Sequence, residues 1–298
     1  MSGAGSAVAV LTDGGASLPG CAASLDVHVV PMNLSVDGRV VESGSVTPRE
    51  VVELAAFGRV TTSAPSPGAY LEAMRTVGER PVVVVTVSSA MSASHDAART
   101  AASYVPDGRV AVVDSLTAAG AQGLVVLAAA RAARTGRPLA DVAATARMVA
   151  GRVRLVASVE RLDHLVRSGR VPRVAARAGR VLGMLPIFEL SRGRVAVRRP
   201  ARSAYAARAR ILATCRAGAQ PGARLRAAVL DAEAPDAAAS LLAGVQDLAP
   251  DASVDSCPFS PVMLAHTGGG ISGLAWWWEG PQSAESVAGD APRSPWTS

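Results

Sequence analysis

Pro81-Val82-Val83-Val84-Val85-Thr86-Val87, followed at once by Ser88-Ser89-Ala90-Met91-Ser92-Ala93-Ser94-His95, is the stretch on which the fold turns. Four consecutive valines do not alternate apolar with polar faces. A strand of this kind is buried on both sides, as the strands of a parallel sheet are. Four serines within seven residues then stand where such a strand ends. In open α/β sheets ligands gather outside the carboxyl ends of the strands, and a helix starting there turns backbone N–H groups outward. Helix capping accounts for one serine but not for four.

Working outward, residues 7–11, 27–36 and 110–113 read as further Val-rich strands. Helices are expected at 47–56, 66–78, 92–104 and 117–134. The first has a capping signature, with Thr47 as cap, Pro48 in the first turn and Glu50 three residues after Thr47. This alternation predicts an α/β domain with a largely parallel sheet and flanking helices over residues 1–150. A helix at 138–150 leads into a second α/β domain, 151–279. Its expected strands are 153–159, 185–190, 194–198, 225–230 and 262–265, and its expected helices 202–216 and 235–248. Residues 280–298, rich in Ser, Pro and Gly, are expected to be a disordered tail.

Composition narrows the function. The chain has 298 residues, 49% hydrophobic and 18% charged, enough for a sizeable core. All 30 basic residues are arginine, and the net charge is +6. The arginines are dispersed, and three Phe with three Tyr offer little for base stacking, which argues against nucleic-acid binding. Cys21, Cys215 and Cys257 are far apart and form no CxxC, so they read as thiols in a reducing compartment. No secretory signal pattern and no apolar run of about 20 residues is present. A cytoplasmic location is expected.

Three further stretches can carry chemistry. Thr61-Thr62-Ser63-Ala64-Pro65-Ser66-Pro67 reads as a hydroxyl-bearing loop stiffened by two prolines. Ser66 reads as a helix cap, but the preceding hydroxyls are not needed for that; they can donate to an anion. His266-Thr267-Gly268-Gly269-Gly270 reads as a glycine turn where backbone approaches a ligand. Extended to Gly273 it matches GxGxxG, without the βαβ context a dinucleotide site requires. Arg198, Arg199 and Arg202 open a helix, where one guanidinium can neutralise a carboxylate. Asp13 and Asp114 each end a strand with no third ligand beside them, so no metal site is indicated.

In order and spacing, these segments resemble the DegV family, whose members bind fatty acids. The resemblance is carried by Thr12-Asp13, Val29-Val30-Pro31-Met32, Thr62-Ser63-Ala64-Pro65-Ser66-Pro67, Ser88 to Ser94 and Val113-Asp114-Ser115. It continues through Leu162-Asp163-His164-Leu165, Ser168-Gly169-Arg170, Gly183-Met184-Leu185-Pro186-Ile187, Arg202-Ser203 and His266 to Gly270. It implies two α/β domains enclosing a channel for one acyl chain. It implies that Thr62, Ser63, Ser92, the backbone of Ala93, Arg202 and His266 hold the carboxylate, and that Gly169 and Arg170 help meet a partner. That partner is an ATP-dependent fatty acid kinase that forms the acyl phosphate for phospholipid synthesis. No cofactor and no catalytic residue is then expected in this chain. Ala64, Ser168 and Leu185 depart from the family's usual glutamine, glycine and lysine.

Two rivals follow from the residues alone. One is a hydrolase or transferase with a serine nucleophile at 88–94, acting on a small acyl or phosphoryl substrate. The other is a sensor of an apolar ligand with no kinase partner.

Overall fold

A computed structural model describes residues 7–41, 45–159, 165, 167–170 and 184–280. The expected tail beyond 280, and residues 162–164 and 183 of the quoted motifs, lie outside the described residues.

Strands β1 (Ala9–Asp13), β2 (Val27–Val30), β6 (Val82–Thr86) and β7 (Val110–Asp114) form a parallel sheet in the order β2-β1-β6-β7. The valines of β6 divide as the unbroken apolar run demands. Val82 and Val84 pack outward against α2 (Pro67–Thr76) and α3 (Ser94–Ala102), while Val83 and Val85 face the centre of the molecule.

A second, six-stranded sheet is mixed. It contains β8 (Arg154–Ser158), β9 (Leu185–Ser191), β10 (Arg194–Ala201), β11 (Arg224–Ala232), β12 (Ser253–Pro258) and β13 (Ile271–Glu279), in the order β10-β9-β8-β13-β11-β12. Only β11 and β12 pair in parallel. Helices α6 (Ala204–Ala217) and α7 (Pro235–Leu248) cover its outer face, where Leu274 and Trp276 of β13 are buried. Ile271, Ala275 and Trp277 of the same strand point the other way, into the central core.

Between the sheets lie α4 (Ala119–Arg134) and α5 (Leu139–Arg152). Thirteen of the residues of α4 are buried, and only Ala128, Arg131 and Arg134 reach solvent, so the helix is covered on nearly every side. It packs on β1 and β6 on one side and on β8, β11 and β13 on the other. Small residues permit that double contact. A Cβ at Gly120 would stand 2.4 Å from Leu230, and one at Gly123 2.4 Å from the Ser17 carbonyl oxygen.

The remaining unit is small. Strands β3 (Asn33–Val36), β4 (Arg39–Val41) and β5 (Val60–Ser63) form an antiparallel sheet against which α1 (Pro48–Ala56) and α8 (Pro261–Thr267) pack. Thr47 and Glu50 make the capping box expected of α1.

Three expectations are corrected. Residues 27–36 are not one strand: Pro31 and Met32 separate β2, in the parallel sheet, from β3, in the antiparallel one. Residues 262–265 are not a strand. The Ser260 hydroxyl accepts from Met263 N–H and Pro261 occupies the first turn, so this apolar run winds into α8. Thr61 to Ser63 are not loop residues but belong to β5.

Candidate functional site

In the parallel sheet, the chain leaves β1 toward β2 and leaves β6 toward β7. The connections therefore diverge at the carboxyl ends of β1 and β6, where α/β sheets open a crevice. Asp13 closes the base of that crevice. It is fully buried, accepts from Gly15 N–H (3.0 Å) and Val87 N–H (2.9 Å), and so ties the two strand ends together. Gln122 of α4 also donates to it at 3.0 Å, and the Tyr70 hydroxyl of α2 lies 3.3 Å from its Oδ2.

Above the crevice is a cavity of about 110 Å³. Its long walls are apolar. Val87 and Met91 come from the parallel-sheet side, Leu155 and Ala157 from β8, Phe188 and Leu190 from β9, and Phe259 and Val262 from the α8 region. Its polar side chains are Thr62, Ser92, Arg170, His266 and Thr267.

Strand alternation explains Thr62. Val60 is buried and Thr62 is half-buried toward the cavity, whereas Thr61 and Ser63 point to solvent. His266 reaches Thr62 from the last turn of α8, with Nε2 2.6 Å from the hydroxyl. Burial, and secondarily the positive Arg170, push the His266 pKa down to about 4. A helix C-terminus favours an imidazolium, yet here desolvation wins. The imidazole is neutral at pH 7. Ser92 sits in the turn before α3, its hydroxyl 3.0 Å from that of Ser94.

Of the residues singled out in the sequence, the fold therefore brings Thr62, Ser92, His266 and Arg170 to one cavity. The others lie elsewhere. The Ser63 hydroxyl accepts from the Asn33 amide at 3.2 Å on the exposed side of β5. Ala93 is exposed at the cap position of α3. Arg202 is exposed beside a separate hollow formed with Met184, Arg199, Pro200 and Arg210. Gly169 makes a left-handed turn (φ 76°) next to Arg170.

Among the described residues, no histidine is hydrogen-bonded to a serine of this loop. Ser89 bonds Asp114, Ser88 bonds the Ala90 N–H, and Ser92 bonds Ser94. His95 bonds Thr86 and His266 bonds Thr62. Sequence reasoning placed Asp13 at a strand end without tying it to the site, and missed Tyr70 and Gln122 as its neighbours. Among the described residues, no group of three or more His, Cys, Asp or Glu side chains is placed to hold a metal ion. Nor is any helix among them long and apolar enough to cross a membrane.

Fold and cavity together define an α/β protein of two large sheets and a small one, built round a largely apolar cavity with a few convergent polar groups. The family model for the DegV family, described as an uncharacterised protein, matches residues 7–279, and the chain belongs to that family. A DegV domain-containing protein of Streptomyces coelicolor is 33% identical over 278 residues, covering 90% of this chain and 97% of its own. One from Mycobacterium tuberculosis is 32% identical over 272 residues, covering 90% and 96%. Among solved structures, a fatty-acid-binding DegV family protein from Thermus thermophilus superposes with a TM-score of 0.84 at 29% identity. That match covers 91% of this chain and 99% of the other. The Streptococcus pneumoniae fatty acid kinase B3 protein, loaded with linoleic acid, shares the fold at 20% identity with a TM-score of 0.77, covering 91% and 99%.

Proposed function

We propose that this protein binds one long-chain fatty acid in the cavity and presents its carboxylate to a partner ATP-dependent fatty acid kinase in the cytoplasm. The observation that carries the reading is the cavity's composition: apolar walls drawn from both large sheets, with Thr62, Ser92, His266 and Arg170 among its few polar groups. Each methylene moved from water into such a space contributes roughly 0.8 kcal/mol, so the chain supplies most of the affinity. The head group then needs donors enough to offset its desolvation. Thr62 and Ser92 supply hydroxyls, and Arg170 supplies positive charge at the rim. The neutral imidazole of His266 can donate from Nε2 to Thr62, freeing the Thr62 proton for the ligand.

The Thermus thermophilus relative supports the ligand class, and the Streptococcus pneumoniae protein supports the kinase partnership. In this reading Gly169 and Arg170 lie at the surface the partner meets. Ser63, Ala93 and Arg202, which do not line the cavity, take no direct part in holding the head group. Native mass spectrometry of the protein purified from cells tests the reading. The expected result is one fatty acid per chain; a lipid-free mass even after incubation with fatty acid would overturn it. Acyl-phosphate formation on adding a kinase and ATP tests the partnership separately.

A further inference from the structure

Ser92 is the last member of a buried series. Its hydroxyl lies 3.0 Å from that of Ser94. Ser94 is fully buried and stands beside the Tyr70 hydroxyl. Tyr70, also fully buried, lies 3.3 Å from Oδ2 of Asp13. The series thus runs from β1 through α2 and the start of α3 to the cavity wall.

Its direction matters, because each hydroxyl has a single proton to donate. Three of Asp13's partners are donors with no alternative. Two are the backbone N–H groups of Gly15 and Val87. The third is the Gln122 amide, whose orientation is fixed from behind. The Thr12 hydroxyl gives its proton to the Val85 carbonyl at 2.8 Å, so it can only accept from Gln122 Nε2, at 3.0 Å. The same nitrogen then faces Asp13. Only the Tyr70 hydroxyl can reverse.

An ionised Asp13 would draw the series inward. Tyr70 would donate to Asp13, Ser94 to Tyr70 and Ser92 to Ser94, leaving lone pairs facing the cavity. A ligand carboxylate would meet oxygen lone pairs against its own. A protonated Asp13 turns every link around.

We propose that Asp13 is a neutral carboxylic acid whose O–H begins a one-way series through Tyr70 and Ser94 to Ser92, aiming the Ser92 proton at the ligand's carboxylate. The proposal rests on the fatty-acid reading above. It makes Asp13, Tyr70 and Ser94 positioning residues for the head group, none of them touching it.

The surroundings agree. Burial raises the Asp13 pKa against the lowering effect of its Gln122, Val87, Gly15 and Tyr70 hydrogen bonds. The other titratable group facing Asp13 is Tyr70, on α2, raised first of all by burial. From α4 comes the uncharged Gln122, and from β6 the Val87 amide. His95 of α3 is turned to Thr86, while His266 and Arg170 lie across the cavity.

Infrared spectroscopy of the lipid-free protein at pH 7 tests the first link. A carboxylic C=O stretch is expected that disappears in Asp13→Asn and shifts in Tyr70→Phe. A spectrum with carboxylate bands alone overturns the proposal. The other links are tested by the affinities of hexadecanoate and hexadecanol. An alcohol both donates and accepts, so it is indifferent to the direction of Ser92. Tyr70→Phe and Ser94→Ala should weaken the acid about five- to tenfold and leave the alcohol unchanged. Equal loss for both ligands would show a structural role only and overturn the proposal. Should the native protein bind neither ligand, the fatty-acid reading falls, and the infrared band alone then decides the state of Asp13.

Discussion

The Thr62 hydroxyl lies 2.6 Å from Nε2 of His266, although 204 residues separate them in the chain. One stands on an edge strand of the small antiparallel sheet, the other on the helix packed against it. Their contact is a short hydrogen bond within a site whose walls are mostly apolar. Thr62→Val keeps the shape and removes the hydroxyl. Fatty-acid affinity should fall about fivefold to tenfold, near 1 kcal/mol, with a small change in melting temperature. Calorimetric titration checks it, and an unchanged dissociation constant would remove Thr62 from the head-group site.

Acid should act on the fold through His266. An unfolded histidine takes up its proton near pH 6.5, while this one resists until about pH 4. Between those values the unfolded chain holds the extra proton, so stability falls as pH drops from 6.5 to 4 and levels off below. The whole effect is on the order of 3 kcal/mol. His266→Asn should flatten this part of the profile. Urea midpoints at pH 7 and pH 5 would lie closer together in the variant than in the native protein; an equal spacing would contradict the assignment.

The apolar walls predict a chain-length ladder. Shortening a saturated acid from sixteen to twelve carbons should cost up to about 3 kcal/mol, at roughly 0.8 kcal/mol per methylene. Ala157→Phe places an aromatic ring in the same space. It should weaken the longer acid more than the shorter one, with a stability cost of about 1–3 kcal/mol. Affinities independent of length in the native protein would argue against burial of the chain.

Gly123→Ala tests the double packing of α4. Alanine is the better helix former by about 1 kcal/mol, which alone would stabilise. Here its methyl would meet the Ser17 carbonyl oxygen at 2.4 Å, a backbone atom that cannot rotate away. The clash should win, with a net loss of about 1–3 kcal/mol in denaturant unfolding. A stabilised variant would show that the two sheets yield more easily than their packing implies.

The parallel half of the fold was legible because its strands are buried on both faces, and unbroken valine runs say so directly. Residues 262–265 misled because a short apolar run has no period of its own; the Ser260-Pro261 pair before it was the better guide. Strand β13 went unrecognised since glycines and tryptophans obscure the extended pattern, although Gly273 is needed there. A Cβ at that position would fall 2.6 Å from the one on Ala157. Thr62, Ser92, His266 and Arg170 could be named from motif order. Their convergence could not, because it depends on how α8 returns to β5 from the far end of the chain. Asp13 was legible as the end of a strand, but its link to the site through Tyr70 was not, for the same reason: a buried acid reveals itself through its partners, and these come from four separate segments.

The polar groups of the cavity stand on two different supports. Ser92 is carried by the parallel sheet, which α4 fastens to the mixed sheet along its whole length. Thr62 and His266 stand instead on β5 and α8, which pack on one another. Both ends of α8 are tied to β11 of the mixed sheet, Phe259 N–H to the Asp231 carbonyl and Gly270 N–H to the Ala232 carbonyl. All three sheets therefore share the hold on a head group, and a change in the register of any one of them would be felt at the site.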